Sequence, residues 1–243
     1  MYADTITSEM AELLEHIGQS RLAHNFILIG GTALALQLGH RTSEDLDFFS
    51  MDKDTSCPSI ADMKAVCNSP RIGTTLRLSD QVHYDIAGIR VTFLQYPFAF
   101  HDSPQYFHGV PLASVLDLGA MKAHTIGRRA KIRDYIDLWK VLDSGIGLND
   151  IIERANNLFN RSDQEFSAKS FLAQLTYYDD IPTTDVATIY ERYGFSTPWN
   201  KVADDIATKV TKYVSAMTHL TTNNSAFVED AENRADRDEV PKI

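Results

Sequence analysis

IGGTALALQLGHRTSEDLDFF, residues 29–49, is the stretch of this chain that decides the expected fold. It follows an apolar run, residues 26–29, that predicts a buried strand, and it opens with Gly30 and Gly31. Residues 32–38 then predict a short helix. Glycines between a strand and a helix let a phosphate approach the backbone, and the helix offers its N-terminal amides. The first half of the stretch therefore predicts a phosphate-binding turn.

The stretch ends in two aspartates, Asp45 and Asp47, at the start of a second predicted strand, residues 46–49. Positions i and i+2 of a strand face the same side, so the two carboxylates lie together while Leu46 faces the core. Two adjacent like charges are unfavourable without a counter-ion, and Mg²⁺ binds carboxylate oxygens together with substrate phosphates. An Asp-rich surface turn would explain Asp-x-Asp alone. The preceding strand and glycine pair favour a metal and nucleotide site.

Further polar residues of the same stretch are candidates for contacting the phosphates. The candidate nucleotide-binding set is Gly30, Gly31, Thr32, Arg41 and Ser43. Capping and loop hydrogen bonds explain Ser43 equally well.

The composition indicates an ordinary globular protein, with 44% hydrophobic and 23% charged residues among 243. The apolar runs are much shorter than the ~20 residues of a membrane helix. The N-terminus lacks the basic and apolar regions of a signal peptide, so we expect a cytoplasmic protein without a membrane partner. Cys57 and Cys67 predict free thiols, because a disulfide framework has more cysteines and no histidine lies at zinc-finger spacing.

Hydrophobic periodicity predicts an α+β protein. A mixed sheet with flanking helices is expected over residues 1–110, followed by an all-helical part over residues 111–217. Residues 218–243 predict a flexible charged tail, with a short helix over 225–236 as an alternative. Beyond the strands already named, residues 75–84 and 89–96 predict strands. The other predicted helices are 5–20, 60–66, 112–127, 131–143, 147–159, 167–178, 183–193 and 198–217.

The quoted stretch resembles the AbiEii/AbiGii-type toxins, a branch of the nucleotidyltransferase superfamily. Three further segments are similar to the same family over residues 10–215: GIRVTFLQYPF at 88–98, DLGAMKAHTIGRRAKIRDYIDLWKVL at 117–142 and FLAQLTYYDDI at 171–181. The resemblance implies a nucleotidyltransferase fold and an enzyme that uses a nucleoside triphosphate and Mg²⁺, with Asp45 and Asp47 as the metal ligands. It also implies a toxin, with tRNA as the acceptor and a cognate antitoxin encoded beside it.

The third of those segments supplies the remaining candidate catalytic residues. Lys122 falls within the apolar stripe of the predicted helix 112–127, where a lysine needs an anionic partner or a route to solvent. Its match to the family's lysine motif implies phosphate binding, and a snorkelling lysine is the alternative. Asp134 and Asp137 match acidic positions of the motif, and either could act as general base or hold Lys122; Asp134 ranks first because it follows Arg133 as in the motif. A solvated helix face with an Arg133–Asp137 pair is the alternative for both aspartates.

Two features qualify the predicted chemistry. Many nucleotidyltransferases have a third carboxylate on a later strand, and here Thr92 stands at that position, while Asp85 lies near a turn. A complete two-metal mechanism is therefore not expected. The net charge is −10, so a nucleic acid would need a local basic patch. The candidate patch, which a short solvated loop explains equally well, is His124, Arg128, Arg129, Lys131 and Arg133.

We therefore predict a Mg²⁺-dependent nucleotidyltransferase, and the leading hypothesis is a toxin that modifies tRNA. A transferase acting on a small molecule or a protein is the second hypothesis, and the acidic net charge favours it mildly. A degenerate nucleotide-binding module is the third, and the intact Asp45 and Asp47 argue against it.

Overall fold

The computed structural model describes residues 1–52, 54–67, 69, 71–95, 103–129, 131–160 and 165–235. The described part is an α+β protein, as the periodicity predicts. Its single sheet has seven strands in the order β3-β4-β5-β2-β1-β7-β6. The strands are β1 Phe26–Ile29, β2 Asp45–Ser50, β3 Ile72–Arg77, β4 Gln81–Ile86, β5 Ile89–Leu94, β6 Gln105–Phe107 and β7 Val110–Leu112.

The centre of the sheet is mixed, and this arrangement positions the site. Strand β1 pairs antiparallel with β2 and parallel with β7, while β2 pairs parallel with β5. Strand β1 is buried throughout, which agrees with its unbroken apolar sequence because a central strand is covered on both faces. In β2, Asp45 and Asp47 are half-buried and alternate with the fully buried Leu46 and Phe48. The alternation predicted for the two carboxylates is therefore observed.

Ten helices surround or follow the sheet within the described residues: α1 Ser8–Gly18, α2 Leu22–Asn25, α3 Gly30–Leu38, α4 Ile60–Cys67, α5 Val115–Ile126, α6 Ile132–Asp143, α7 Leu148–Phe159, α8 Ala168–Gln174, α9 Thr183–Tyr193 and α10 Trp199–Ala235. Helix α3 starts directly after β1 and ends at Gly39, whose φ of 64° suits a residue without a side chain. Helices α5 and α6 pack against α3 and each other, so the helical part lies beside the glycine turn.

Three predicted elements differ most from the structure. The predicted strand 75–84 is the end of β3, a turn closed by Leu78 N–H donating to Gln81 O, and the start of β4. The helix predicted from residue 112 starts at Val115, because residues 110–112 form β7 between β1 and β6. Helix α10, predicted to end at 217, continues to Ala235 and takes in most of the predicted tail and of the optional helix 225–236. Parts of the segments 88–98 and 218–243 lie outside the described residues.

The core is one continuous cluster of apolar side chains that spans the sheet and helices α1 to α10. Its largest fully buried members include Tyr84, Phe93 and Tyr135. The rings of Phe48 and Phe93 stack at 4.9 Å between centroids, which joins the neighbouring strands β2 and β5 on the face away from the aspartates. None of the described helices is long and apolar enough to span a membrane.

Candidate active site

A polar cleft of about 270 Å³ opens where the glycine turn, the start of β2 and helices α5 and α6 meet. It brings together most of the residues that the sequence predicted for the site. The lining residues are Gly31, Thr32, Arg41, Ser43, Asp45, Asp47, Arg90, Lys122, Arg129, Lys131, Arg133 and Asp134. Of the predicted set, Gly30 and Asp137 lie immediately behind this lining, against Asp47 and Arg41 respectively.

The two carboxylates of β2 each have a partner at the same register of β5. Asp45 lies opposite Arg90, and Asp47 lies opposite Thr92. The Nε and Nη2 atoms of Arg90 donate to the Asp45 carboxylate at 2.8 and 2.7 Å, and the hydroxyl of Thr92 donates to Asp47. The residue at the expected place of a third carboxylate is thus a hydrogen-bond donor to Asp47.

Asp47 lies in a poorly solvated position. Burial raises its pKa, the Thr92 hydrogen bond works against the rise, and the neighbouring charge of Asp45 adds to it, so the pKa lies above its ordinary value. A cation placed between the carboxylates would offset both the burial and the mutual repulsion.

The donor chemistry of this pair suits Mg²⁺. Both groups supply hard oxygen atoms on one face of β2 and border the cleft. Among the described residues no cluster of three or more His, Cys, Asp or Glu side chains could enclose a metal ion. Mg²⁺ is commonly held by one or two carboxylates, with substrate phosphates and water completing its coordination. Asp45 and Asp47 therefore fit a metal that is completed by the nucleotide.

The two glycines of the turn stand where an added side chain would meet a neighbouring group. Gly30 has a φ of 75°, and a Cβ at this position would lie 3.1 Å from Oδ2 of Asp47. A Cβ at Gly31 would overlap Nη2 of the buried Arg41. Glycine therefore suits the left-handed backbone at position 30, and at position 31 it leaves room for the guanidinium of Arg41, which Asp137 holds in place. The approach of a phosphate to this turn stays a prediction.

Thr32 and Ser43 connect the first turn of α3 to the segment before β2. The Thr32 hydroxyl donates to the main-chain carbonyl of Asp45 and lies 2.7 Å from the Ser43 hydroxyl. Both side chains are at least nine-tenths buried, so they fix the position of Asp45 relative to the helix start.

Lys122 of α5 lies between the two aspartates of α6. Its Nζ is 2.7 Å from Asp134 Oδ1 and 2.7 Å from Asp137 Oδ2, and its side chain is 13% exposed. Burial alone would lower the pKa of Lys122, but the two carboxylates raise it above the ordinary value. The lysine is therefore charged and held at the edge of the cleft. Its predicted inward orientation is observed, and its anionic partners lie within the protein.

Asp137 is completely buried and is surrounded by basic side chains, of which Arg41 and Lys122 are cationic. Arg41 donates to both of its oxygens at 2.7 and 2.9 Å, and His40 Nε2 lies 2.7 Å from Oδ1. Burial would raise the pKa of Asp137, but the charges of Arg41 and Lys122 hold it well below its usual range. Because its oxygens are occupied and weakly basic, Asp137 is suited to holding Lys122 and poorly suited to accepting a proton.

Asp134 is nearer to the cleft than Asp137 and lines it directly. Its side chain is 3% exposed, and Arg129 Nε donates to its Oδ2 at 3.2 Å. Burial works against ionisation, but Lys122 and Arg129 lower the pKa below its ordinary value. The alternative of a solvated helix face is wrong for both aspartates. Arg133, the expected partner of Asp137, donates to the Tyr193 hydroxyl at 3.0 Å.

The predicted basic cluster divides in the structure. Arg129, Lys131 and Arg133 line the cleft, whereas Arg128 donates to main-chain carbonyls of His124 and Glu165. His124 is 8% exposed and stacks on Phe159 at 3.8 Å, so it is a packing residue.

His40 and Arg90 are residues of the site that the sequence does not indicate. Neither stands in a recognisable motif. The partner of His40 lies 97 residues away, and that of Arg90 lies 45 residues away. The alternating pattern of β5 could have indicated that Arg90 and Thr92 share a face, but only the pairing of β5 with β2 places that face beside the aspartates.

Known proteins resemble this chain over most of its length. The family described as "Nucleotidyl transferase AbiEii toxin, Type IV TA system" matches residues 12–212. An uncharacterized protein of Aquifex aeolicus is 26% identical over 212 residues, which cover 86% of this chain and 98% of that protein.

Solved structures of nucleotidyltransferases share the fold. A putative nucleotidyltransferase from Helicobacter pylori superposes with a TM-score of 0.56 at 17% identity, covering 87% of this chain and 94% of its own. The nucleotidyltransferase toxin MenT4 from Mycobacterium tuberculosis superposes with a TM-score of 0.58 at 14% identity, covering 83% of this chain and 80% of its own.

Proposed function

The chain belongs to the AbiEii family of nucleotidyl transferase toxins, and we propose that it transfers a nucleotidyl group from a Mg²⁺-bound nucleoside triphosphate to tRNA. The observation that carries the proposal is the charge of the cleft. Six cationic side chains and three carboxylates line it, although the whole chain has a net charge of −10. A local excess of positive charge in an acidic protein suits a polyanionic substrate.

The donor side of the reaction uses the glycine turn, β2 and Lys122. The triphosphate would lie at the N-terminus of α3, where main-chain amides point outward. Asp45 and Asp47 would hold Mg²⁺, which when bound polarises the phosphoryl group and neutralises charge on the leaving pyrophosphate. Lys122 would contact the phosphates from the opposite wall, as a point charge kept ionised by Asp134 and Asp137.

The acceptor side requires a hydroxyl oxygen to form a bond to the α-phosphorus while the bond to pyrophosphate breaks. The hydroxyl proton must leave to a base or to water. Asp134 is the better candidate to orient that hydroxyl, because it lines the cleft whereas Asp137 is buried and saturated by Arg41, His40 and Lys122. Asp137 would act as the positioning residue for Lys122.

Transfer from nucleotides labelled at the α-phosphate to total tRNA tests the proposal. The wild-type protein should label tRNA in the presence of Mg²⁺, and Asp47→Asn should lose at least ~99% of the rate, as expected when a main electrostatic contribution to the transition state is removed. Asp143→Asn, which removes an exposed carboxylate of α6 paired with Lys140, is the matched control and should label normally. Equal labelling by wild type and Asp47→Asn would refute the catalytic assignment.

The cationic rim formed by Arg129, Lys131 and Arg133 favours a nucleic-acid acceptor. Each phosphate contact contributes to the salt dependence of binding, with a slope near −0.7 to −0.9 per contact in a plot of log K against log salt. Lys131→Ala should therefore weaken tRNA binding and make the salt slope shallower by about one contact. A salt slope equal to that of the wild type would exclude Lys131 from the tRNA-binding surface.

A small-molecule or protein acceptor is the second candidate function, because the overall acidity of the chain disfavours extended nucleic-acid contacts. Screening acceptors with one labelled nucleotide separates the two candidates. A degenerate binding module is the third, and it predicts that calorimetry finds no Mg²⁺-dependent nucleotide binding.

The biological setting is proposed from the family alone. The toxin would act in the cytoplasm and be counteracted by an antitoxin encoded in the adjacent gene. Expression of this chain should then arrest growth, and co-expression of the neighbouring gene should restore it. If growth stays arrested when each adjacent gene is co-expressed in turn, the proposal of an adjacent antitoxin gene is wrong.

A further inference from the structure

Arg90 forms an ion pair with Asp45 and so occupies the carboxylate that a metal would need. Both guanidinium contacts, at 2.8 and 2.7 Å, are made to the two oxygens of Asp45. The two residues are register partners in the parallel pair β2–β5, so the backbone itself brings them together. A cation that coordinates Asp45 must displace Arg90 from at least one of these oxygens.

Arg90 has the freedom to be displaced. Its side chain is 67% exposed and that of Asp45 is 29% exposed. Exposed ion pairs of this kind are weak, equivalent to roughly a 1.4- to 5-fold change in an equilibrium constant. A divalent ion can therefore replace the guanidinium with only a small loss of affinity.

The position of Arg90 indicates its next partner. It borders the cleft described above and also a second cleft of about 180 Å³, which is likewise lined by Asp45 and Asp47. Once detached from Asp45, the guanidinium stands at the edge of the place where a metal-bound phosphate would lie. A guanidinium fork matches two phosphate oxygens as well as it matches a carboxylate.

We propose that Arg90 neutralises Asp45 in the metal-free protein and transfers to a phosphate oxygen of the nucleotide when the metal takes Asp45. This inference rests on the proposed function, since it assumes that Asp45 binds the metal. Arg90 then has opposite effects on the binding of two ligands. It competes with the metal when the metal is alone, and it supports the nucleotide once the metal is present, so the metal and the nucleotide bind cooperatively.

The test measures both affinities for the full chain by calorimetry. Mn²⁺ alone serves as the metal probe, because it prefers the same oxygen donors as Mg²⁺. The α,β-methylene analogues of the four ribonucleoside triphosphates, titrated in turn with Mn²⁺ present, serve as the nucleotide probes. Arg90→Gln should bind Mn²⁺ alone about two- to fivefold more tightly and should bind the preferred analogue about tenfold more weakly. A loss of structure in the variant would instead weaken the binding of both ligands.

Arg192→Gln is the matched control. The Arg192–Glu44 pair has the same closest distance, 2.6 Å, and similar side-chain exposures of 60% and 33%, but it lies outside the lining of the cleft. This variant should leave both affinities unchanged. An unchanged Mn²⁺ affinity, or an unchanged analogue affinity, in Arg90→Gln would overturn the proposal. Failure of Asp45→Asn to weaken Mn²⁺ binding would instead refute the metal assignment of the proposed function.

Discussion

Arg41 and Asp137 form a buried bidentate pair, in which Nε and Nη2 of the arginine donate to the two carboxylate oxygens at 2.7 and 2.9 Å. The arginine is 5% exposed and the aspartate is fully buried. The pair joins the segment before β2 to α6 across 96 residues of sequence. It therefore fixes the helical wall of the cleft, including Lys122, against the strand that carries Asp45 and Asp47.

Asp137→Asn should destabilise the protein by about 3–5 kcal/mol, because it leaves Arg41 buried without its counter-charge. Urea unfolding at neutral pH measures the change. Asp143→Asn, at an exposed pair on the same helix, should change the free energy of unfolding by less than about 1 kcal/mol. Equal effects of the two substitutions would mean that the buried pair has no special role in the fold.

The acid stability of the protein should depend on Asp137. Arg41 and Lys122 hold the pKa of Asp137 well below its usual range in the folded state, whereas in the unfolded chain it titrates near ~3.9. The unfolded state therefore binds more protons as the pH falls below about 5, and the stability contributed by Asp137 is progressively lost. Urea unfolding from pH 7 down to pH 3 should show a steeper decline for wild type than for Asp137→Asn, and parallel profiles would contradict this.

Gly31→Ala should be destabilising because the added methyl group overlaps the guanidinium of Arg41, which Asp137 holds in place. Overpacking of this kind typically costs about 1–3 kcal/mol, and thermal unfolding detects it. Gly73→Ala is the control, because a Cβ at Gly73 meets no atom within 4 Å, and its melting temperature should stay close to that of wild type. A neutral Gly31→Ala would show that Arg41 can move aside.

Thr92→Asp should convert the hydrogen-bond donor opposite Asp47 into a third carboxylate on the same face. The added charge should destabilise the metal-free protein by about 1 kcal/mol or more and strengthen Mn²⁺ binding, since three carboxylates then share one cation. Thermal unfolding with and without Mn²⁺ measures both effects. Thr92→Asn, which adds no charge, should show no gain in Mn²⁺ affinity. A Thr92→Asp variant that Mn²⁺ fails to stabilise would place the metal elsewhere.

Local patterns in the sequence were sufficient to predict much of the fold. Each of the six helices of the C-terminal half that periodicity predicts is present, although several of their ends differ. The strand–glycine–helix turn and the shared face of Asp45 and Asp47 are also observed. These features depend on residues within a few positions of each other, where backbone geometry alone sets the side-chain direction.

Charge patterns were less informative than apolar ones. Asp134 and Asp137 stand opposite the apolar stripe of α6, where a solvated face was the alternative to a role in the site, yet both are buried. Ionised carboxylates are tolerated there because Lys122, Arg41 and Arg129 arrive from other elements. Nothing within α6 itself indicates that these cations are near.

By itself, the sequence determined a glycine turn, two carboxylates on one strand face and an inward lysine. The tertiary structure decided which partners those groups have. The parallel pairing of β2 with β5 places Arg90 on Asp45 and Thr92 on Asp47, and the packing of α3 against α6 brings Arg41 to Asp137. The physical reason is that strand order and helix packing join residues distant in sequence, and no local periodicity specifies which distant strand or helix becomes the neighbour.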